Sequence, residues 1–343
     1  MSDSAKPRED ARWWHRWMRM PSELREMGVV GINMRNARYL RPNNPRRLYR
    51  LVDDKLQTKA LAEARGLEVP KTYGVIKSSG DIRGLESLLA GLESFVIKPA
   101  RGSGGKGVLV IDGRKGGQYL KPSGVTLSHD GIKHHVVNIL AGLFSLGGNR
   151  DVALIEYRVR PSELMTQISY QGAPDIRVVL MHGYPVMAML RAATRESDGR
   201  ANLHQGAVGI GIDIDTGKTV RAVHHGNKLE RHPDTEIPLL GIQLPGWDRI
   251  LEMAVICQEM TGLGYLGVDL MIDQEQGPMM IEVNARPGLA IQLANGIGLM
   301  KRLEPISRQH KDHPAESLEG KIRFSRDRFG RRKPVLDSPG VQA

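Results

Sequence analysis

Residues 267–288 read Gly-Val-Asp-Leu-Met-Ile-Asp-Gln-Glu-Gln-Gly-Pro-Met-Met-Ile-Glu-Val-Asn-Ala-Arg-Pro-Gly, and no other stretch constrains the chain as strongly. Two short apolar runs, 268–272 and 279–283, flank a polar turn containing Gly277 and Pro278, which predicts a β-hairpin. Three groups break its apolar pattern. Asp269 interrupts the first strand, while Glu282 and Asn284 stand two apart on the second and therefore share a face. Pairing about the turn brings Asp269 beside them. Two carboxylates and an amide oxygen make a hard, anionic donor set of the kind that holds Mg²⁺ when phosphate oxygens complete the octahedron. The plainer alternative is three solvated strand residues, but a carboxylate buried in an apolar strand is costly unless it is paired or metal-bound.

A chain of 343 residues with 40% apolar content can bury a substantial core and divides into two or three subdomains. Its single cysteine, Cys257, excludes an internal disulfide framework and a Cys-rich zinc site. Cys257 falls in the apolar pattern of a helix predicted over 247–260 and reads as a core residue. No apolar run approaches the roughly 18 residues of a membrane span, and the first residues lack an apolar signal core, so a cytoplasmic location is expected. The net charge of +11 is unevenly spread. Residues 1–52 carry 12 Lys+Arg against 5 Asp+Glu, residues 301–343 carry 11 against 6, and the middle carries 26 against 27. The basic character belongs to the ends, so a groove-reading nucleic-acid fold is not expected.

The first ten residues are polar, and Trp13, Trp14, Trp17 and Met18, interleaved with Arg, follow on one face of a short helix. Such a basic arm docks on a membrane surface, on a protein partner or on the protein's own body. Residues 31–49, with their Asn and Pro, read as an extended arm of turns. A helix is predicted from 53 to 64, capped by Asp53 or Asp54 and carrying Leu56, Ala60, Leu61 and Ala64 inward. A strand over 69–75 and a helix over 81–91 come next. Then a strand carrying Lys98 enters a turn with Gly102, Ser103, Gly104, Lys106 and Gly107, and a second strand leaves it. Gly102, Gly104 and Gly107 fit G-x-G-x-x-G, but a dinucleotide fingerprint must open a helix. A phosphate-binding Walker loop fails too, since Gly107 stands where Ser or Thr is required. What remains is a hairpin whose backbone N–H groups and lysines can close over phosphates. No His-Arg-Asp or Asp-Phe-Gly follows, which excludes a protein kinase. Residues 113–150 read as irregular apart from a helix over 131–143, where His134 and His135 face different sides and make no joint metal site. Strands over 152–157, 175–181 and 184–191, a loop over 194–206 and a hairpin over 209–218 complete the middle. The tail past 303 shows little periodicity and reads as a solvated extension with Arg326, Arg328, Arg331, Arg332 and Lys333.

In order, Asp54-Lys55, the Lys98 strand with its glycine loop, Ile155-Glu156-Tyr157, Asp175-Ile-Arg177, Arg200-Ala-Asn202-Leu-His204 and the Asp269, Glu282, Asn284 hairpin resemble the ATP-grasp ligases. They are most similar to RimK-type glutamate ligases and the related alpha-L-glutamate ligase-like proteins, over residues 53–295. The resemblance implies an α/β (α+β) ATP-grasp fold, with two α+β subdomains holding the nucleotide between them. It divides the chain into a basic N-terminal arm (1–52), a lid subdomain with the glycine-rich loop (53–150), a subdomain with the metal site (151–300) and a basic tail (301–343). It also implies roles. Lys55 and Lys98 would contact ATP phosphates, with Ser103, Gly104 and Lys106 in the lid; Glu156 and Tyr157 would meet adenine, and Asp175 the ribose. Arg200 and Asn202 would lie along the nucleotide, Asp269, Glu282 and Asn284 would hold two Mg²⁺, with Mn²⁺ as a substitute, and Arg177 and Arg286 would stabilise a transferred phosphoryl group or a substrate carboxylate. Only 1–54 precede Lys55, where the family places a full α/β domain, so the N-terminal region is expected to be shortened. Arg286 replaces the small residue usual there.

The implied reaction joins a carboxylate, such as glutamate or another amino acid, to an amine on a small molecule, peptide or protein through an acyl phosphate. Metal, Lys and Arg around a spreading negative charge are what phosphoryl transfer requires of a protein. The alternative is a catalytically weak ATP-binding regulator that recruits a membrane or protein partner through the Trp/Arg arm. A third reading, action on RNA or a nucleic-acid-associated protein, rests on the basic ends alone.

Overall fold

The computed structural model describes residues 22–102 and 104–331. The Trp13, Trp14, Trp17 segment, Ser103, Arg332 and Lys333 lie outside them. The first sheet contains β1 (Thr72–Ile76), β2 (Phe95–Pro99) and β3 (Leu109–Ile111). Strands β2 and β3 pair antiparallel about the glycine turn, Phe95 facing Ile111, as the hairpin pattern predicts. Residues 113–150 are more regular than expected. Short strands β4 (Gly113–Lys115), β5 (Gln118–Leu120) and β6 (Thr126–Leu127) form a separate three-stranded sheet, followed by the helix His129–Leu140. Two- and three-residue strands are too short to show an alternation, so sequence periodicity cannot find them. β7 (Ala153–Glu156) then inserts between β1 and β2, antiparallel to both, giving the order β1-β7-β2-β3. It thereby joins the first sheet, from beyond the boundary expected at residue 150. Phe95, Ile97, Ile111, Ile132, Val136 and Ile155 make this sheet's core with the helix behind it.

The second sheet has seven antiparallel strands in the order β12-β11-β10-β9-β8-β13-β14. In chain order they are β8 (Asp175–Met181), β9 (Tyr184–Ala192), β10 (Val208–Ile212), β11 (Thr219–His224), β12 (Asn227–Leu229), β13 (Tyr265–Asp273) and β14 (Gly277–Asn284). Eight of the nine residues of β9 are buried, so both faces of its middle are covered. The helix Trp247–Thr261 packs here with Cys257 fully buried, as the apolar spacing indicates. Among the described residues no helix is long and apolar enough to cross a membrane.

Three further segments depart from expectation. Residues 31–49 are helical rather than extended, running through Ile32–Met34, a π-helical turn Arg35–Leu40 and Arg41–Asn43. Their shape is set by tertiary bonds: buried Asn44 donates to the carbonyls of Tyr265 (2.6 Å) and Ala285 (3.2 Å) and accepts from Tyr265 N–H (2.8 Å). The tail forms two helices, Met300–Asp312 and Leu318–Phe329, which bury Leu303, Ile306, Ile322 and Phe329. Four apolar anchors among many charges leave little periodicity, and buried Arg302 ties them in by donating to the carbonyls of Val186 and Phe329. The helix Lys55–Ala64 is capped by Asp54 as expected, but it buries Thr58, Lys59 and Ala62 rather than the predicted stripe, leaving Ala60 and Ala64 exposed.

Candidate active site

The hairpin expected over 267–288 forms, with its turn shifted. Asp273 pairs with Gly277, so 274–276 make the turn and Pro278 sits early in β14, the sheet's last strand, where a missing N–H is tolerated. Asp273 Oδ1 accepts from the N–H groups of Glu275 and Gln276, both at 3.0 Å, which closes the turn. The register places Asp269 opposite Glu282 on one side and opposite Arg177 on the other, and a bulge at Ile281 re-aims the second strand beside them. Like charges facing each other across strands repel. Here cations offset the repulsion: Arg177 grips Asp269 through two bonds of 2.7 and 2.6 Å, and Arg191 Nη2 reaches Asp269 Oδ2 at 2.9 Å. Asn284 Nδ2 donates to the same oxygen at 3.1 Å.

Asp269 is only 4% exposed. Burial alone would raise its carboxyl, but the guanidinium charges of Arg177 and Arg191 outweigh burial and hold it at about 2. Asp175 is gripped at both oxygens by Arg191, and there burial, helped by the Asp269 charge, moves the carboxyl up against the pull of Arg191. Arg191 itself is held more firmly protonated than usual, its two carboxylates outweighing burial. Burial thus favours the neutral form of Asp175, while the guanidinium charges of Arg177 and Arg191 favour the ionised form of Asp269.

The facing wall comes from the first sheet and the helix Lys55–Ala64. Lys98 on β2 lies diagonal to Glu156 on β7 and forms an ion pair with Glu156 Oε1. Lys59 takes the other oxygen at 3.0 Å. Both lysines and the glutamate are buried, and burial lowers the Lys59 ammonium against the attraction of Glu156. Lys55, four residues before Lys59 on the same helix face, donates to the Gly102 carbonyl at 2.6 Å and reaches Glu282 at 3.3 Å. It thus bridges the glycine loop to the acidic hairpin. Lys55, Lys59, Lys98, Glu156, Met280 and Glu282 line one cleft between the sheets.

The glycine loop is built to stay open-backed. Gly104, Gly105 and Gly107 have φ of +64°, +75° and +75°, and a Cβ on Gly107 would meet the Phe144 ring at 2.5 Å. His135 Nε2 bonds the Gly107 carbonyl at 3.0 Å, tying the loop's far end to the helix behind it. Lys106 is exposed at its tip.

Other expected site residues are committed elsewhere. Asp175, assigned to a ribose, is paired with Arg191, and Glu156, assigned to adenine, holds two lysines. The Tyr157 hydroxyl donates to Asp273 at 3.0 Å and its N–H to Lys71 at 2.8 Å, so both polar groups serve to pin this segment rather than face a base. Arg200 is exposed beside Asp198 at 3.6 Å, and the Asn202 side chain caps the turn Leu203–Gln205 by accepting from His204 N–H. Arg286 lies 4.4 Å from the centre of the Tyr49 ring, and its charge also reaches Asp53 beside Lys55. Sequence reading missed Lys59 and Arg191. The four-residue step from Lys55 and the Arg at the end of a strand neighbouring Asp175 were the available signals.

Among curated proteins, the chain is 24% identical over 251 residues to a probable alpha-L-glutamate ligase of Enterobacter sp. (strain 638), covering 73% of this chain and 61% of that protein. It is 27% identical over 244 residues to a protein of the same description from Psychromonas ingrahamii, covering 71% and 59%. The chain thus spans about three fifths of the length of these relatives. Among solved structures, the D-alanine–D-alanine ligase of Bacillus anthracis matches with a TM-score of 0.41 and 14% identity, over 81% of this chain and 69% of that one. The family model described as sugar-transfer associated ATP-grasp matches residues 34–308, and the chain belongs to that family.

Proposed function

We propose that this chain is an ATP-dependent carboxylate-amine ligase that activates a carboxylate as an acyl phosphate and passes it to an amine. The observation that carries the reading is the cleft in which Lys55, Lys59 and Lys98 meet Glu282, the residue that the β13–β14 register sets beside Asp269 and Asn284. Its donor chemistry fits Mg²⁺: Asp269, Glu282 and the Asn284 amide are oxygen donors on adjoining strands, and Glu282 keeps 27% of its side chain exposed. These three would hold the ion, which, once bound, would neutralise phosphate charge and orient the transferred group.

The chain's own groups would do the rest by positioning and charge. Lys98 would turn from Glu156 to the phosphates while Lys59 keeps Glu156 paired, so no buried charge is stranded in the exchange. Arg177 and Arg191 would orient the Asp269 carboxylate, and the glycine loop would close over the phosphates through its N–H groups, excluding water that would hydrolyse an acyl phosphate. Names of relatives favour glutamate as one substrate, and the family description adds sugar-bearing amines to the acceptors worth testing.

The test is ADP release with Mg²⁺ and ATP over a panel of amino acids, peptides and amino sugars, with mass spectrometry of the products. One carboxylate-acceptor pair should stimulate turnover and yield a product with the mass of an amide. Glu282→Gln, which keeps size but removes the anionic ligand, should lower that rate by at least about a hundredfold. ATP binding without stimulation by any pair would favour the regulator reading instead.

A further inference from the structure

A second cluster of ligating side chains lies outside the cleft. Glu196, in the loop after β9, meets His224 and His225, at the end of β11 and in the turn after it; their ligand atoms all lie within 4.8 Å of one another. Successive strand residues point to opposite faces. Here they do not, because His225 and Gly226 form the two-residue turn between β11 and β12, with φ of +48° and +81°. That left-handed step swings the His225 ring to the side of His224, placing the ring centroids 4.2 Å apart.

Both imidazoles converge on one carboxylate oxygen. His225 Nε2 is 2.8 Å and His224 Nε2 3.5 Å from Glu196 Oε2. Two ligand atoms bound to a tetrahedral ion at roughly 2.1 Å stand about 3.4 Å apart, so these separations need only tenths of an ångström of adjustment. The Gly206 carbonyl is a further oxygen, 2.9 Å from His224 Nε2. Glu196 lies close over Gly206: a Cβ at residue 206 would lie 2.8 Å from its carboxyl carbon, and φ there is +94°. The loop root is held in place. Thr194 and Ser197 exchange side-chain to backbone bonds of 2.9 and 3.0 Å, and Thr194 Oγ1 donates to the Gly206 carbonyl at 2.8 Å. The site is set before an ion arrives.

We propose that Glu196, His224 and His225 bind one divalent transition-metal ion of the Zn²⁺ class, which clasps the 194–206 loop to the end of β11. Two imidazole nitrogens and one carboxylate select such an ion over Mg²⁺, which prefers an all-oxygen shell. The clasp has a position that matters. Val223 pairs with Gly209 and Gly209 with Arg191, so the ion would sit at the same end of the sheet as the Asp175, Asp269 cluster and would fasten the loop that carries Arg200 and Asn202.

The test uses the full chain stripped by a chelator and titrated with Zn²⁺ in excess Mg²⁺, against a chromogenic competitor. One Zn²⁺ per chain is expected. His225→Asn removes the imidazole but supplies the residue this turn type favours, so the fold is retained. It and Glu196→Ala should each weaken binding by more than tenfold, since even partners that only orient a ligand cost about 10–100-fold when lost. His204→Ala, an exposed histidine of the same loop, should change nothing. As an independent readout, Zn²⁺ should slow tryptic cleavage at Arg195 and Arg200 in the unaltered chain and not in His225→Asn. Failure to take up Zn²⁺, or uptake that survives both site substitutions, overturns the proposal.

Discussion

Asp269 shows how a single residue's environment becomes a stability term. Its carboxyl, near 3.9 when unfolded, is held at about 2 in the fold. A depressed value means that its contribution, roughly 2 kcal/mol, is fully present above about pH 4 and is lost as pH falls through about 2. Denaturant midpoints measured from pH 6 to pH 2.5 should therefore fall more steeply for the unaltered chain than for Asp269→Asn; parallel curves would refute the ion-cluster account. Asp269, Glu282 and Asn284 were legible as residues because polar groups in an apolar strand announce themselves. Lys59 and Arg191 were not, because nothing local marks a basic residue that is buried only when its partner arrives from another strand.

At the scale of elements, hydropathy located the hairpins and the helices with apolar faces, and missed elements that hydrogen bonds or a few anchors hold in place. Asn44 is the clearest case. Its three bonds join a segment that reads as extended to β13 and to the residue after β14, and Asn44→Ala would leave buried backbone groups of Tyr265 and Ala285 unsatisfied. The expected cost is about 2–3 kcal/mol in denaturant unfolding; a loss below about 0.5 kcal/mol would mean that this segment does not depend on that side chain. The exposed faces of Ala60 and Ala64 have the same origin, since the helix Lys55–Ala64 rotates to present lysines, not alanines, to the cleft.

On the scale of the whole molecule, two sheets meet across a cleft bridged by Lys55 to Glu282, by Tyr157 to Asp273 and by Glu68 to Met280. A ligand that fills this cleft bonds to both sheets, so under the proposed function Mg²⁺-ATP at a hundredfold excess over its Kd should stabilise the chain by about 2.7 kcal/mol. The rise in Tm should shrink sharply in Lys98→Met, and an equal rise in that variant would place the nucleotide elsewhere. The order of motifs, the antiparallel hairpins, the glycine turn and the Asp269, Glu282, Asn284 set follow from the sequence by itself, because each depends on residues within one strand pair or one turn. Which cation meets which anion was decided only by the tertiary structure. Strand order sets those pairings: β7 enters between β1 and β2 and brings Glu156 to Lys98, and β13 lies between β8 and β14, bringing together Arg177 and Asp269, 92 residues apart in the chain.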